Sequence, residues 1–269
     1  MVQTWITGSI IACVAGIIGL FVVLRAAAFA AHALPMGAFP GAAAAALVGL
    51  PKALGLAAFA GLAVLGIGRL GRRERHDVAT ALTLVALLGL GALCLSLRGD
   101  YAGQVYALLF GEVLGIPEAQ ILPVAAMGLA VIAGTVLLHR PLLLQAVSPD
   151  LAQVRGVPRR LETWFLLLLG LATVLTLPVT GALLAFSLMV GPPAAAASFT
   201  DRPVRALLLS PAIALLQVWA AIALAYASNW PVGFFVGTLG ALAYGLGRAW
   251  TAWRHRTPPV APRRPLALP

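Results

Sequence analysis

The charged residues of this chain stand in clusters, and the uncharged runs between the clusters are long enough to cross a bilayer. No Asp, Glu, Lys or Arg occurs before Arg25, from Ala26 to Pro51, from Ala53 to Gly68, or from Val78 to Leu97. Further uncharged runs extend from Ala119 to His139, from Thr163 to Thr200 and from Ala206 to Gly247. A hydrocarbon core of roughly 30 Å takes about 20 helical residues. The last two runs are about twice that length, and each holds a break, at Pro178 and at Asn229-Trp230-Pro231. This reading predicts nine spans, near 4–24, 26–50, 52–69, 78–97, 121–139, 161–178, 180–198, 205–228 and 231–249, with eight as the alternative. The runs lack a strict period of two and are dominated by Ala, Leu and Gly, which excludes lipid-facing strands. The expected fold is an all-α polytopic membrane protein with 8–9 transmembrane helices. One membrane domain covers residues 1–250, and a proline-rich tail over 251–269 is expected to be disordered.

Composition agrees. Apolar residues make up 61% of the 269 and charged residues 10%, with a mean hydropathy of +0.99. A soluble domain carries roughly a quarter charged residues, so a soluble globular enzyme is excluded. The net charge of +10 raises the question of nucleic acid, but its distribution answers it. One side of the membrane receives 16 of the 18 basic residues, among them Arg25, the Arg69–Arg75 cluster, Arg140, Arg155, Arg160, Arg202 and the C-terminal arginines. The other side receives Lys52 and Arg98, with Asp100, Glu112 and Glu118. The arginine-rich side is cytoplasmic by the positive-inside rule. The C-terminus is then cytoplasmic and, with nine spans, the N-terminus lies outside. Ala26-Ala27-Ala28 could pass for a signal-peptidase site, but no basic residue precedes the apolar run, and the first span is read as retained. Cys13 and Cys94 fall inside predicted spans and serve as small apolar residues.

Four segments ask for more than an anchoring role. In the second predicted span, His32 and Met36 lie one helical turn apart on a common face, and Pro35 and Pro40 disturb the helix around it. An ionisable group inside a membrane is a functional candidate by default, although a Pro-kinked packing helix with one hydrogen-bonded His is the plainer alternative. Leu108–Gly115 is an apolar segment with one carboxylate, Glu112, on the outer side. It reads either as an interfacial helix or as an acidic group near the mouth of a pathway. Ser148–Pro158 reads as a short cytoplasmic helix opened by Ser148 or Asp150 and closed by Gly156 and Pro158, suited to docking a partner. Thr180–Ala195, rich in Gly and Pro, reads as helix packing.

Other chemistry is missing. Lys52 is the only lysine and follows Pro51, so the chain has no G-x-x-x-x-G-K-[ST] phosphate loop. There is also no H-E-x-x-H, no G-x-S-x-G and no clustered Cys/His motif. No residue is expected to be catalytic, and any ATP hydrolysis must come from another polypeptide.

Taken in order, these segments resemble the permease subunits of ATP-binding-cassette importers for zinc and manganese. Gly19–Arg25, followed by the interrupted helix and Phe39-Pro40-Gly41, is similar to that family's FVVLRR…GDALSHAxLPG segment. Leu108–Gly115 resembles its LLFGSILG segment, and Ser148–Pro158 its FDPEFARARGVP segment. Val179–Pro193 is similar to VGxLLVxALLxxPAA, and Asn229–Gly233 to the Leu-Pro-x-Gly start of the last helix. The resemblance implies the membrane subunit of an ATP-driven divalent metal importer in a bacterial plasma membrane. It implies a homodimer, two cytoplasmic ATPase subunits and an extracytoplasmic metal-binding protein. The metal is cargo, and no cofactor is permanently bound. Asp150, Ala152, Arg155 and Gly156 would couple to the ATPase, Glu112 would stand at the outer mouth, and His32 and Met36 would meet the metal.

The family places Asp and His four apart where this chain has His32 and Met36. Imidazole suits zinc, thioether is a softer ligand, and no carboxylate is present to favour manganese. Zinc is the expected cargo, held in transit, with manganese or iron as alternatives. Two rival readings are a permease for siderophore-iron, haem or cobalamin, and a non-transporting membrane scaffold.

Overall fold

The computed structural model describes residues 2–71, 76–97, 121–158 and 160–254, and all regular structure there is helical. Eleven helices follow in order. They are α1 (Val2–Leu24), α2 (Ala28–Ala38), α3 (Pro40–Leu47), α4 (Lys52–Leu70), α5 (His76–Ser96), α6 (Ile121–Leu137), α7 (His139–Val147), α8 (Pro149–Val154), α9 (Arg160–Phe199), α10 (Pro203–Ser228) and α11 (Val232–Arg254).

Each of the nine predicted spans is largely helical, but not every one is a full crossing. Among the described residues six helices are long and apolar enough to cross a membrane, and a seventh arises if α6 and α7, bent by 58°, count together. The other two stretches are Leu184–Phe199, a shorter apolar helix, and the pair α2–α3. Pro40 ends α2 because it has no N–H to give the carbonyl of Met36. Phe39 between them keeps right-handed helical angles, φ −54° and ψ −38°. The second span is therefore two helices joined through a residue of helical backbone and not an unwound segment.

The turn expected at Pro178 lies three residues later. Gly181 has φ 75° and ψ 166°, a region essentially closed to residues with a side chain. There the first arm of α9, Arg160–Ala182, gives way to a second that runs back. Phe165 of the first arm lies under Arg25 at the far end of α1, whereas Val179 and Thr180 lie beside Gly8. The second arm runs the other way along α1, from Leu184 beside Gly8 to Met189 against Gly19. Three buried threonines before the break return their hydroxyls to helix carbonyls: Thr173 to Leu169 at 2.9 Å, Thr176 to Thr173 at 3.3 Å and Thr180 to Thr176 at 2.9 Å. Polar groups in hydrocarbon must be satisfied internally, and these three hydroxyls are.

The core lies between α1, α9 and α10. Ile11, Val14, Ile18 and Phe21 of α1 meet Phe165, Leu169, Leu175 and Met189 of α9, and Ala214 and Ile222 of α10. Lipid offers no hydrophobic drive for helices to associate, so close packing and interhelical hydrogen bonds hold them. Ser210 donates to the Gly16 carbonyl at 2.6 Å, Gln217 Nε2 to the Val236 carbonyl at 2.6 Å, and Thr251 to the Ser198 carbonyl at 2.8 Å. Helices α2–α5 pack together on the α9 side. There a Cβ on Gly41 would fall on the Gly55 carbonyl oxygen, and one on Gly55 on that of Gly41. Only glycine at both places lets α3 and α4 touch backbone to backbone.

Peripheral helices show apolar side chains outward, such as Val85 of α5 and Leu122 and Leu129 of α6, as expected of surfaces facing lipid. The C-terminal tail begins later than expected: α11 continues through Arg254, since no proline occurs before Pro258 to end it. The remainder of the 251–269 tail lies outside the described residues.

Candidate functional site

The first turn of α2, Ala28 to Ala30, is partly open, with Phe29 exposed, and the helix is buried beyond it. From Ala31 to Ala43 every residue is buried except His32 and Met36, and the next partly open position is Ala44. The imidazole and the thioether, one turn apart, are the two partly accessible side chains of the run from Ala31 to Ala43. No three His, Cys, Asp or Glu residues cluster for a metal among the described residues.

The second arm of α9 completes the surroundings. Phe186 meets the His32 ring edge to face, with centroids 4.9 Å apart and an interplanar angle of 72°. The Nδ1 atom of His32 is buried and has no hydrogen-bond partner. A metal-ligating histidine ordinarily donates its second ring N–H to a carbonyl or carboxylate, and losing that partner typically costs 10–100-fold in affinity. A metal on Nε2 here would be held without that support, which suits an ion in transit. Sequence reasoning missed Phe186. The available signal was its isolation, as the only aromatic between Thr180 and Ser198.

Helices α7 and α8 form the connector between α6 and α9. Ser148 stands before α8 and Pro149 opens it, but the Ser148 side chain makes no capping bond. Gly156 closes the turn at φ 70°, and the Val157 N–H returns to the Ala152 carbonyl at 3.0 Å. Of the expected coupling residues, Asp150, Arg155 and Gly156 are exposed. Ala152 is not: it is 2% exposed and turned inward. The outward apolar positions are Val147, Leu151 and Val154, at 71%, 43% and 83% exposure. Three exposed aliphatic side chains among charged neighbours form a knob suited to a protein partner. Glu112, the expected outer-mouth carboxylate, lies outside the described residues.

Arg25 lies between the connector and α2. Its Nη1 donates to Gln145 Oε1 of α7 at 2.9 Å, and its guanidinium sits 4.9 Å from the centre of the Phe165 ring. Burial lowers its pKa from the usual guanidinium value, and the Glu162 charge works in the opposite sense. An arginine so placed stays ionised.

Comparison with known proteins bears on what these sites serve. The family model described as "ABC 3 transport family" matches residues 1–247. The chain is 29% identical over 245 residues to the manganese transport system membrane protein MntC of Halalkalibacterium halodurans, covering 87% of this chain and 83% of that one. A Haemophilus influenzae membrane protein named for iron transport is 25% identical over 260 residues, covering 95% of each. Among solved structures, PsaBC from Streptococcus pneumoniae in complex with Fab matches with a TM-score of 0.81 at 20% identity, covering 94% of each chain.

Proposed function

This multi-pass membrane chain belongs to the ABC 3 transport family, and on that premise we propose that it is the membrane-spanning subunit of an ATP-driven divalent metal importer. Two copies assemble in the bacterial plasma membrane with their C-termini in the cytoplasm. Two ATPase subunits dock on α8 from the cytoplasm, and an extracytoplasmic binding protein delivers the ion. This subunit performs no chemistry itself. It binds the ion weakly at His32 and Met36 and exposes it first to one side and then to the other.

The observation that carries this reading is the His32–Met36 pair, the two partly open positions in an otherwise buried run from Ala31 to Ala43. A ligand shifts a two-state equilibrium only through different affinities for the two states, so a carrier gains from a site that is weak in one of them. Nitrogen with sulfur, and no carboxylate, suits zinc better than manganese, and zinc is the cargo we assign. Manganese is the second reading, favoured by the name of the Halalkalibacterium halodurans relative.

Elemental analysis of metal-starved cells separates the two. A strain lacking the chain should lose zinc and regain it when the gene is returned. Loss of manganese with zinc unchanged selects the second reading, and loss of neither metal rejects both. Docking is tested separately. Val154, 83% exposed, contributes nothing to the core, so Val154→Asp should leave the permease folded. The same change should reduce co-purification of the ATPase by about ten-fold or more, because it sets an unpaired charge in an interface core. Undiminished co-purification would remove α8 from the docking surface.

A further inference from the structure

We propose that Arg25 is a positioning residue that transmits movement of the docking helix α8 to the metal-site helix α2. The inference rests on the transport reading above and adds to it the path by which the two ends communicate.

The path is short. Helices α7 and α8 are separated by Ser148 alone, whose N–H bonds the Leu144 carbonyl at 2.9 Å and whose carbonyl accepts from Ala152 at 3.0 Å. One residue thus joins the docking helix to the last turn of α7. Gln145, on the last turn of α7, holds the Arg25 guanidinium at 2.9 Å. On the other side of Arg25 the chain passes from α1 to α2 in a tight turn. Ala26 takes the left-handed conformation with φ 54°, and the Ala27 N–H returns to the Val22 carbonyl at 2.8 Å. The Ala31 N–H then bonds the Ala27 carbonyl at 3.0 Å, and His32 is the next residue. A displacement of Gln145 thus reaches α2 through one side chain and one stiff turn.

The surroundings of Arg25 suit a part that shifts. The guanidinium lies over the Phe165 ring at 4.9 Å, a contact that tolerates sliding, and close to the charge of Glu162. Its Nε is buried without a hydrogen-bond partner. A guanidinium satisfied on only part of its fork can change partners at small cost, whereas a fully bonded one would lock α1, α7 and α9 together. Lysine cannot substitute, because an ammonium lacks the planar fork and stacks poorly on an aromatic ring.

The test uses Met36→Cys as a reporter in a chain also carrying Cys13→Ala and Cys94→Ala, reconstituted in vesicles with its ATPase subunit. The rate of labelling by a water-soluble thiol reagent is compared without nucleotide and with ATP trapped by vanadate. In the parent the rate should change by about ten-fold or more as access switches. With Gln145→Leu, and separately with Arg25→Lys, the change should shrink to less than about two-fold while ATP hydrolysis persists, because the two ends are no longer linked. If both variants follow ATP as the parent does, the inference is wrong. If hydrolysis collapses together with the labelling response, Arg25 is a structural residue and the inference is also wrong. A parent that does not respond to ATP overturns the transport reading, and the inference with it. Gln145→Leu keeps the proposal testable should Arg25→Lys fail to fold, since it removes one hydrogen bond and no charge.

Discussion

Metal accumulation driven by the His32→Ala permease is expected to fall by about ten-fold or more relative to wild type, with the protein still folded and still bound to its ATPase. The size follows from the ligand count. One chain brings an imidazole and a thioether to two partly open positions of α2, and a two-fold partner doubles that to four donors. Removing both imidazoles leaves only thioethers, which hold a divalent first-row ion poorly. The structural cost is small by comparison. His32 is half-buried, its Nδ1 is already without a partner, and what is forfeited is chiefly the edge-to-face contact with Phe186, worth about 0.5–1.5 kcal/mol. His32→Asp makes the companion test, because a carboxylate should restore transport while moving preference towards manganese. Uptake by His32→Ala equal to wild type would leave the importer standing and remove this pair as the site.

Gly181→Ala should act by a different route and cost stability as well as transport. At φ 75° and ψ 166° a residue with a Cβ is held in a sparsely allowed conformation, at about 1–3 kcal/mol. The position has little freedom to relax. Thr180 just before it is tied to the Thr176 carbonyl at 2.9 Å, and the second arm is packed closely enough that the Met189 carbonyl touches Gly19. Relief by straightening α9 would carry Phe186 away from His32. Thermal unfolding of the purified variant should therefore start at lower temperature, and zinc uptake should fall with it. An alanine variant as stable and as active as wild type would mean that the break does not hold the second arm in place.

The helical membrane fold was legible because lipid is a demanding solvent. It forbids charge and unpaired backbone over fixed lengths, and the gaps between charges record this directly. The His32–Met36 pair was legible for the same reason: a polar side chain inside an uncharged run must have a purpose or a partner. Helix endings were less so. Pro178 looks like the natural turn, yet proline can sit within a helix whose neighbours absorb the lost bond, and the chain reverses at Gly181, where only the backbone angles reveal it. Burial within a short helix was also hidden. Ala152 and Val154 are both small and apolar in the sequence, and only the folded chain shows that the first turns in and the second out. The link from Arg25 to Gln145 spans 120 residues and leaves no local pattern at all. An arginine at the end of an apolar run reads as positive-inside topology, and its second role depends on what folds against it. Glu112 falls where no residues are described, so its reading stays with the sequence.

The most direct test of the account is metal uptake into vesicles that contain this chain, its ATPase subunit and its binding protein. Zinc and manganese would be supplied at equal concentration, with ATP or with a non-hydrolysable analogue. The account predicts that zinc accumulates only when ATP is hydrolysed, that it outpaces manganese, and that His32→Ala abolishes the difference between the two nucleotides. Zinc accumulation equal with either nucleotide, or absent with both while manganese also stays outside, would contradict it.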